Sequence, residues 1–167
     1  ATAAAILERL RQERPLIHHI TNLVVTNTTA NATLAIGASP VMAHAPEEVA
    51  EMARAARALV LNIGTLSREQ VEAMLLAGEA AAEAGVPIIL DPVGAGATAY
   101  RTETVQRLLD RLPVTVLRGN GAEVAILAGG EATVRGVDGV QAGDVATLVR
   151  TLAQERQLVA AATGATD

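Results

Sequence analysis

Short β-branched runs alternate with alanine-rich helical stretches along the whole of this chain, and that alternation limits the folds open to it. Residues 2–13 read as a helix, with Ile6, Leu7 and Leu10 at helical spacing; Pro15 ends it and Leu16 to Ile20 reads as a strand. Thr21 or Asn22 can cap a helix running to Ile36, where Gly37 stops it, and Pro40 to Ala43 is a short extended run. A helix from Pro46 to Arg57 precedes the strand Ala58 to Ile63, and the capping box Ser67 to Gln70 opens a long helix ended by Gly85. A strand from Pro87 runs to Asp91. A helix over Arg101 to Leu112, a strand over Val114 to Leu117, a helix opened by Asn120 and closed by Gly129-Gly130, a helix capped by Asp144 and a strand over Leu158 to Ala162 complete the reading. Near-continuous apolar strands between helices predict an α/β fold, a mostly parallel sheet with helices on both faces. Residues 129–143 are Gly-rich and read as a loop within one domain covering 1–167.

Composition removes several kinds of chemistry. The chain has 167 residues and no Cys, which excludes disulfides, thiol nucleophiles and Cys-ligated zinc within it. All 13 basic residues are Arg, so neither the lysine of a P-loop nor a Schiff-base lysine is present. A net charge of −5, with Tyr100 the only aromatic residue, argues against nucleic acid as a partner. The 35 alanines point to a core of Ala, Val, Leu and Ile with close helix–sheet contact. No apolar run reaches the roughly 18 residues of a membrane span. Residues 1–14 show no secretory pattern, so a cytoplasmic location without membrane contact is the expectation.

In open α/β sheets ligands bind beyond the carboxyl ends of the strands. Those ends here carry Thr21-Asn22, Met42-Ala43, Asn62 to Thr65, Asp91 to Gly96, Arg118 to Asn120 and Thr163-Gly164. Asp91 follows a buried strand, where a carboxylate is costly unless it is used. Together with Glu123 it can hold Mg²⁺, directly or through water, beside phosphates. Asn120 and Glu123 also make an ordinary capping pair; the local pattern favours the cap, and both roles can hold at once. Arg118 is either a solvated or paired arginine or a phosphate clamp. Gly94-Ala-Gly96 lacks the rest of a dinucleotide fingerprint and reads as a turn. His18, His19 and His44 lack helical metal-ligand spacing and read as structural, and Met42 by itself reads as core filling.

Several longer motifs occur in order: Pro15-Leu-Ile-His-His-Ile-Thr-Asn22, Gly37-Ala-Ser-Pro-Val-Met42-Ala-His-Ala-Pro-Glu47, Leu61-Asn-Ile-Gly-Thr65, Ile89-Leu-Asp-Pro-Val-Gly-Ala-Gly-Ala97, Tyr100-Arg-Thr-Glu103, Arg118-Gly-Asn120 with Glu123, and Ala162-Thr-Gly-Ala165. From about residue 14 onward the chain resembles the hydroxyethylthiazole kinases, which are ribokinase-like enzymes. The resemblance implies ATP-dependent phosphorylation of the primary alcohol of 4-methyl-5-(2-hydroxyethyl)thiazole for thiamine. It implies Met42 as a thiazole contact with Asn22 and Val24 on the same pocket wall. Arg118 and Thr163, with Asn120 beside them, become ATP contacts, and Asp91 and Glu123 the magnesium carboxylates. It further implies a homotrimer with sites between subunits. Family chains continue well past residue 167, and the catalytic Gly-Thr-Gly-Cys-type segment is expected there, so no catalytic residue is assigned in this chain. Two alternatives stand beside this reading: another ribokinase-like vitamin kinase, and a catalytically silent fragment acting as an assembly module.

Overall fold

A computed structural model describes residues 2–129 and 142–164, and nearly all of the Gly-rich stretch expected as a loop, Gly130 included, lies outside them. The elements run α1 (Ala3–Glu13), β1 (Leu16–Ile20), α2 (Thr26–Ile36), β2 (Ser39–Val41), α3 (Val49–Ala55), β3 (Ala58–Asn62), α4 (Arg68–Glu83), β4 (Ile88–Asp91), α5 (Ala99–Arg111), β5 (Val116–Asn120), α6 (Gly121–Leu127), α7 (Ala142–Arg156) and β6 (Val159–Thr163). The strand order is β2-β1-β3-β4-β5-β6. Neighbours β1/β2, β1/β3, β4/β5 and β5/β6 all pair in parallel, as the alternation predicts. The chain forms two compact units, residues 1–61 with 65–88 and residues 62–64 with 89–167.

In the first unit β1 lies between β2 and β3, with His18 paired to Val41 on one side and to Leu59 on the other. Ile20, Leu59, Leu61 and Met74 are fully buried, and each contributes about 1.5–3 kcal/mol of transfer free energy. Helix α4 buries Ala73, Ala77, Ala80 and Ala81, and α3 buries Val49 and Ala53; these short side chains let the two helices pack closely. His18 and His19 are buried in β1. His18 Nε2 bonds the Ala43 carbonyl at 2.9 Å, His19 Nε2 lies 3.4 Å from Thr33 Oγ1, and neither Nδ1 has a hydrogen-bond partner.

The start of α2 and the capping box of α4 depart from the sequence reading. Helix α2 begins at Thr26, not at Thr21 or Asn22. Asn22 Oδ1 accepts the Val25 N–H at 3.1 Å and the Asn22 carbonyl accepts the Thr26 hydroxyl at 2.8 Å, so Asn22 forms a turn ahead of the helix rather than its cap. Ser67 does cap α4 by accepting the Gln70 N–H at 3.1 Å. The reciprocal half of that capping box is absent, because Gln70 Nε2 donates to the Thr21 carbonyl at 2.9 Å instead.

In the second unit β4, β5 and β6 share one register: Leu90 pairs with Leu117, and Leu117 with Ala160. Leu90, Leu117, Val105, Leu108, Val124 and Leu152 are fully buried. Strand β5 starts two residues later than read and continues through Arg118, Gly119 and Asn120, and β6 includes Thr163. A parallel ladder is held by backbone groups, so it runs on past the apolar residues that announce it. Helix α5 starts at Ala99, because Thr98 Oγ1 accepts the Arg101 N–H at 3.2 Å. Helix α7 starts at Ala142, so Asp144 falls within it rather than at its cap.

Candidate functional site

The second unit gathers its polar residues at the carboxyl ends of β4, β5 and β6. Leu90 and Leu117 are register partners, so Asp91 and Arg118 are the next residues of adjoining strands. One strand further, Arg118 pairs with Ala161 and Asn120 with Thr163. Thr163 is tied inward by a long hydroxyl contact of 3.4 Å to the Gly119 carbonyl.

Asn120 and Glu123 form a complete capping box at the start of α6. Asn120 Oδ1 accepts the Glu123 N–H at 2.9 Å, and Glu123 Oε2 accepts the Asn120 N–H at 2.8 Å. The capping reading is therefore right, and Glu123 does more than cap. Its Oε1 accepts the Gly94 N–H at 2.8 Å, which ties α6 to the loop after Asp91. Glu123 is 8% exposed, and its carboxylate lies so close over Gly119 that a Cβ there would sit 3.0 Å from Oε2.

Asp91 Oδ2 accepts a hydrogen bond of 2.8 Å from Asn62 Nδ2, and Asn62 Oδ1 in turn accepts the Gly64 N–H at 2.9 Å. Burial first, and then the charge of Glu123, push the Asp91 carboxyl above the usual carboxylate range; Arg118 and the Asn62 hydrogen bond pull it part of the way back. The Arg118 side chain is exposed. Two partly buried carboxylates that influence each other's charge create a demand for positive charge. No three His, Asp or Glu side chains gather to hold a metal among the described residues. Two carboxylates nonetheless suit magnesium, which keeps several waters and takes substrate phosphates into its shell.

Arg101, which the sequence reading leaves without a role, borders the site. Arg101 donates to three backbone carbonyls, those of Ile63, Val93 and Gly64. A cation in the first turn of a helix opposes the helix dipole, but Arg101 shares that signal with the exposed Arg68 of α4 and it names no partner.

The first unit has its own group at the ends of β1 and β2. Met42 directly follows β2 and is half-buried. Asn22 lies two residues past β1 and is 8% exposed, whereas Val24 is 82% exposed. The Leu23 N–H donates to Thr65 Oγ1 at 3.0 Å, which fixes the turn that presents Val24.

The family model described as "HK: Hydroxyethylthiazole kinase family" matches residues 7–167. A protein of Moorella thermoacetica named hydroxyethylthiazole kinase is 57% identical over 161 residues, covering 96% of this chain and 60% of that one. One of the same name from Methanocella arvoryzae is 59% identical over 165 residues, covering 98% of this chain and 62% of that one. The solved structure of a hydroxyethylthiazole kinase protein from Pyrococcus horikoshii OT3 superposes with a TM-score of 0.87 at 49% identity, covering 96% of this chain and 60% of that one. The chain thus spans about 60% of the length of the relatives it matches. No helix among the described residues is long and apolar enough to cross a membrane.

Proposed function

Since the chain belongs to the hydroxyethylthiazole kinase family, we propose that the protein containing it transfers the γ-phosphoryl group of ATP to the hydroxyl of 4-methyl-5-(2-hydroxyethyl)thiazole. The observation that carries this reading for the chain's own residues is the placement of Asp91 at the end of β4 and of Glu123 in the first turn of α6, where Glu123 Oε1 holds the Gly94 N–H of the loop after Asp91, with Arg118 on the adjoining strand. Phosphoryl transfer is chiefly a matter of positioning and charge stabilisation. Asp91 and Glu123 are the residues that would hold Mg²⁺, which when bound supplies positive charge against the phosphate oxygens. Arg118, exposed on the adjoining strand, would supply a guanidinium for the same anion, suited to bidentate contact. Asn120 and Thr163, paired across β5 and β6, offer amide and hydroxyl groups beside it.

Met42, Asn22 and Val24 are the proposed thiazole contacts. A side chain as exposed as Val24 cannot enclose a ring without another surface over it. Leu23, Leu34 and Ile36 are also exposed, at 74%, 57% and 47%. These exposed apolar side chains, just ahead of α2 and in its last turn, favour a second copy of the chain as partner, in a homotrimer whose subunits share the thiazole pocket. The cytoplasm, which holds the ATP, is the proposed compartment.

The test is formation of the thiazole phosphate by the full-length protein in the presence of ATP and Mg²⁺. Product that requires Mg²⁺ supports the reading; no product at any Mg²⁺ concentration rejects it.

A further inference from the structure

Arg101 donates three hydrogen bonds to backbone carbonyls of the second unit, and the assignments above leave it without a task. Its Nη1 donates to the Ile63 carbonyl at 2.9 Å and the Val93 carbonyl at 2.6 Å, and its Nη2 to the Gly64 carbonyl at 2.8 Å. All three acceptors are neutral. A half-buried guanidinium spent on backbone carbonyls gains no ion pairing; what it gains is control of the backbone.

The three carbonyls belong to two loops, and each loop is linked by hydrogen bonds to one of the carboxylates. Gly64 donates its N–H to Asn62 Oδ1, and Asn62 Nδ2 holds Asp91 Oδ2. Val93 precedes Gly94, whose N–H holds Glu123 Oε1 at 2.8 Å. Gly94 has φ +74°, a conformation open to glycine, and a Cβ there would lie 3.2 Å from Arg101 Cδ and Nη1, so the arginine packs directly over this turn. The Ile63 N–H also bonds the Asp91 carbonyl, at 3.3 Å. One side chain therefore grips both segments whose backbone sets where Asp91 and Glu123 point.

We propose that Arg101 is a positioning residue: through the Gly64 and Val93 carbonyls it sets the separation and orientation of Asp91 and Glu123 for a divalent cation, without touching cation or phosphate itself. This rests on the reading of those two carboxylates as the Mg²⁺ site. Lysine cannot replace it, because the work needs planar, divergent N–H donors reaching two loops at once.

The experiment uses the full-length protein, with Mn²⁺ as the spectroscopic probe. The dissociation constant of Mn²⁺ in the ADP complex is read by electron paramagnetic resonance for the parent, Arg101→Lys and Arg101→Ala. KM for the thiazole alcohol and the half-saturating Mg²⁺ concentration are measured alongside. Supporting partners of metal ligands typically matter by roughly 10- to 100-fold, and both variants are expected to weaken Mn²⁺ binding and raise the Mg²⁺ requirement by that factor. Thiazole KM should stay within about twofold, since uniform substrate binding is untouched. Added guanidinium should restore part of the Mn²⁺ affinity of Arg101→Ala, and Arg101→Lys carries the same comparison should the alanine variant not fold. Variants that bind Mn²⁺ like the parent overturn the role of Arg101 alone. An equal rise in thiazole KM and Mn²⁺ dissociation constant overturns it too, by showing general damage. A parent that binds no Mn²⁺ with ADP overturns the metal-site reading and this inference with it.

Discussion

Glu123 accepts the backbone N–H of Gly94 at 2.8 Å, a bond that joins the cap of α6 to the loop after β4. Its other oxygen holds the Asn120 N–H at 2.8 Å. Both carboxylate oxygens thus face backbone donors, and a neutral amide cannot replace them: one end of a glutamine would point its own N–H₂ at an N–H. Glu123→Gln should therefore cost about 1–2 kcal/mol of stability in chemical denaturation, besides raising the Mg²⁺ needed for turnover. Unchanged denaturation midpoints would show that these two bonds carry little energy.

Asp91→Asn should act on stability in the opposite direction. The folded state raises the Asp91 pKa, chiefly through burial and then through the charge of Glu123. A raised carboxyl pKa means that the ionised form is disfavoured by folding, so at neutral pH the charge costs stability, and the cost fades as pH falls through the raised value. An asparagine still offers an acceptor to Asn62. Without Mg²⁺ the variant should show a higher Tm than the parent at pH 7, while losing Mg²⁺-dependent turnover. A lower Tm would contradict this.

Met42→Ala should separate the two substrates. Met42 is half-buried beside the end of β2, away from the carboxylates in sequence and in unit. Removing its thioether should raise thiazole KM roughly tenfold, about 1.4 kcal/mol, and leave ATP KM nearly unchanged. Steady-state kinetics with each substrate varied in turn reads the split; a matching rise in ATP KM would remove Met42 from the thiazole wall.

His18 and His19 set a pH limit on the fold. Burial lowers both pKa values; the Ala43 hydrogen bond offsets this in part for His18, and the nearby His18 charge adds to it for His19. With a lowered folded-state pKa the unfolded chain takes up protons first as pH falls. Stability is then full above about pH 6.5 and lost as pH drops from there toward the folded-state values. Thermal melting between pH 7 and pH 5 should show Tm falling with acid, and His18→Asn should flatten the slope. A Tm independent of pH across that range would refute the argument.

Much of this was legible in the residues themselves. The parallel sheet follows from apolar runs separated by helical stretches, and Pro15 and Thr21 bracket β1 to the residue. Asp91 stood out because a carboxylate at the end of Ile-Ile-Leu has no apolar excuse. Strand β5 was cut short because Arg118, Gly119 and Asn120 carry no apolar signal, although their backbone pairs through to Asn120. The start of α2 is not legible because Asn22 can serve a turn or a cap with the same side-chain oxygen; here it accepts the Val25 N–H ahead of the helix, in a turn also held by the Thr65 contact with Leu23. Arg101 escaped for a different reason. Its partners are carbonyls of residues 63, 64 and 93, and no local pattern encodes contacts with backbone that far away.

The central claim is that Asp91 and Glu123 together serve the metal in phosphoryl transfer to the thiazole alcohol. Its most direct test is the transfer of labelled γ-phosphate from ATP to that alcohol by the full-length parent, Asp91→Asn and Glu123→Gln across a Mg²⁺ titration. The account predicts Mg²⁺-dependent product from the parent, and turnover lowered by roughly tenfold or more in each variant with thiazole KM little changed. Normal turnover by both variants at every Mg²⁺ concentration would contradict it.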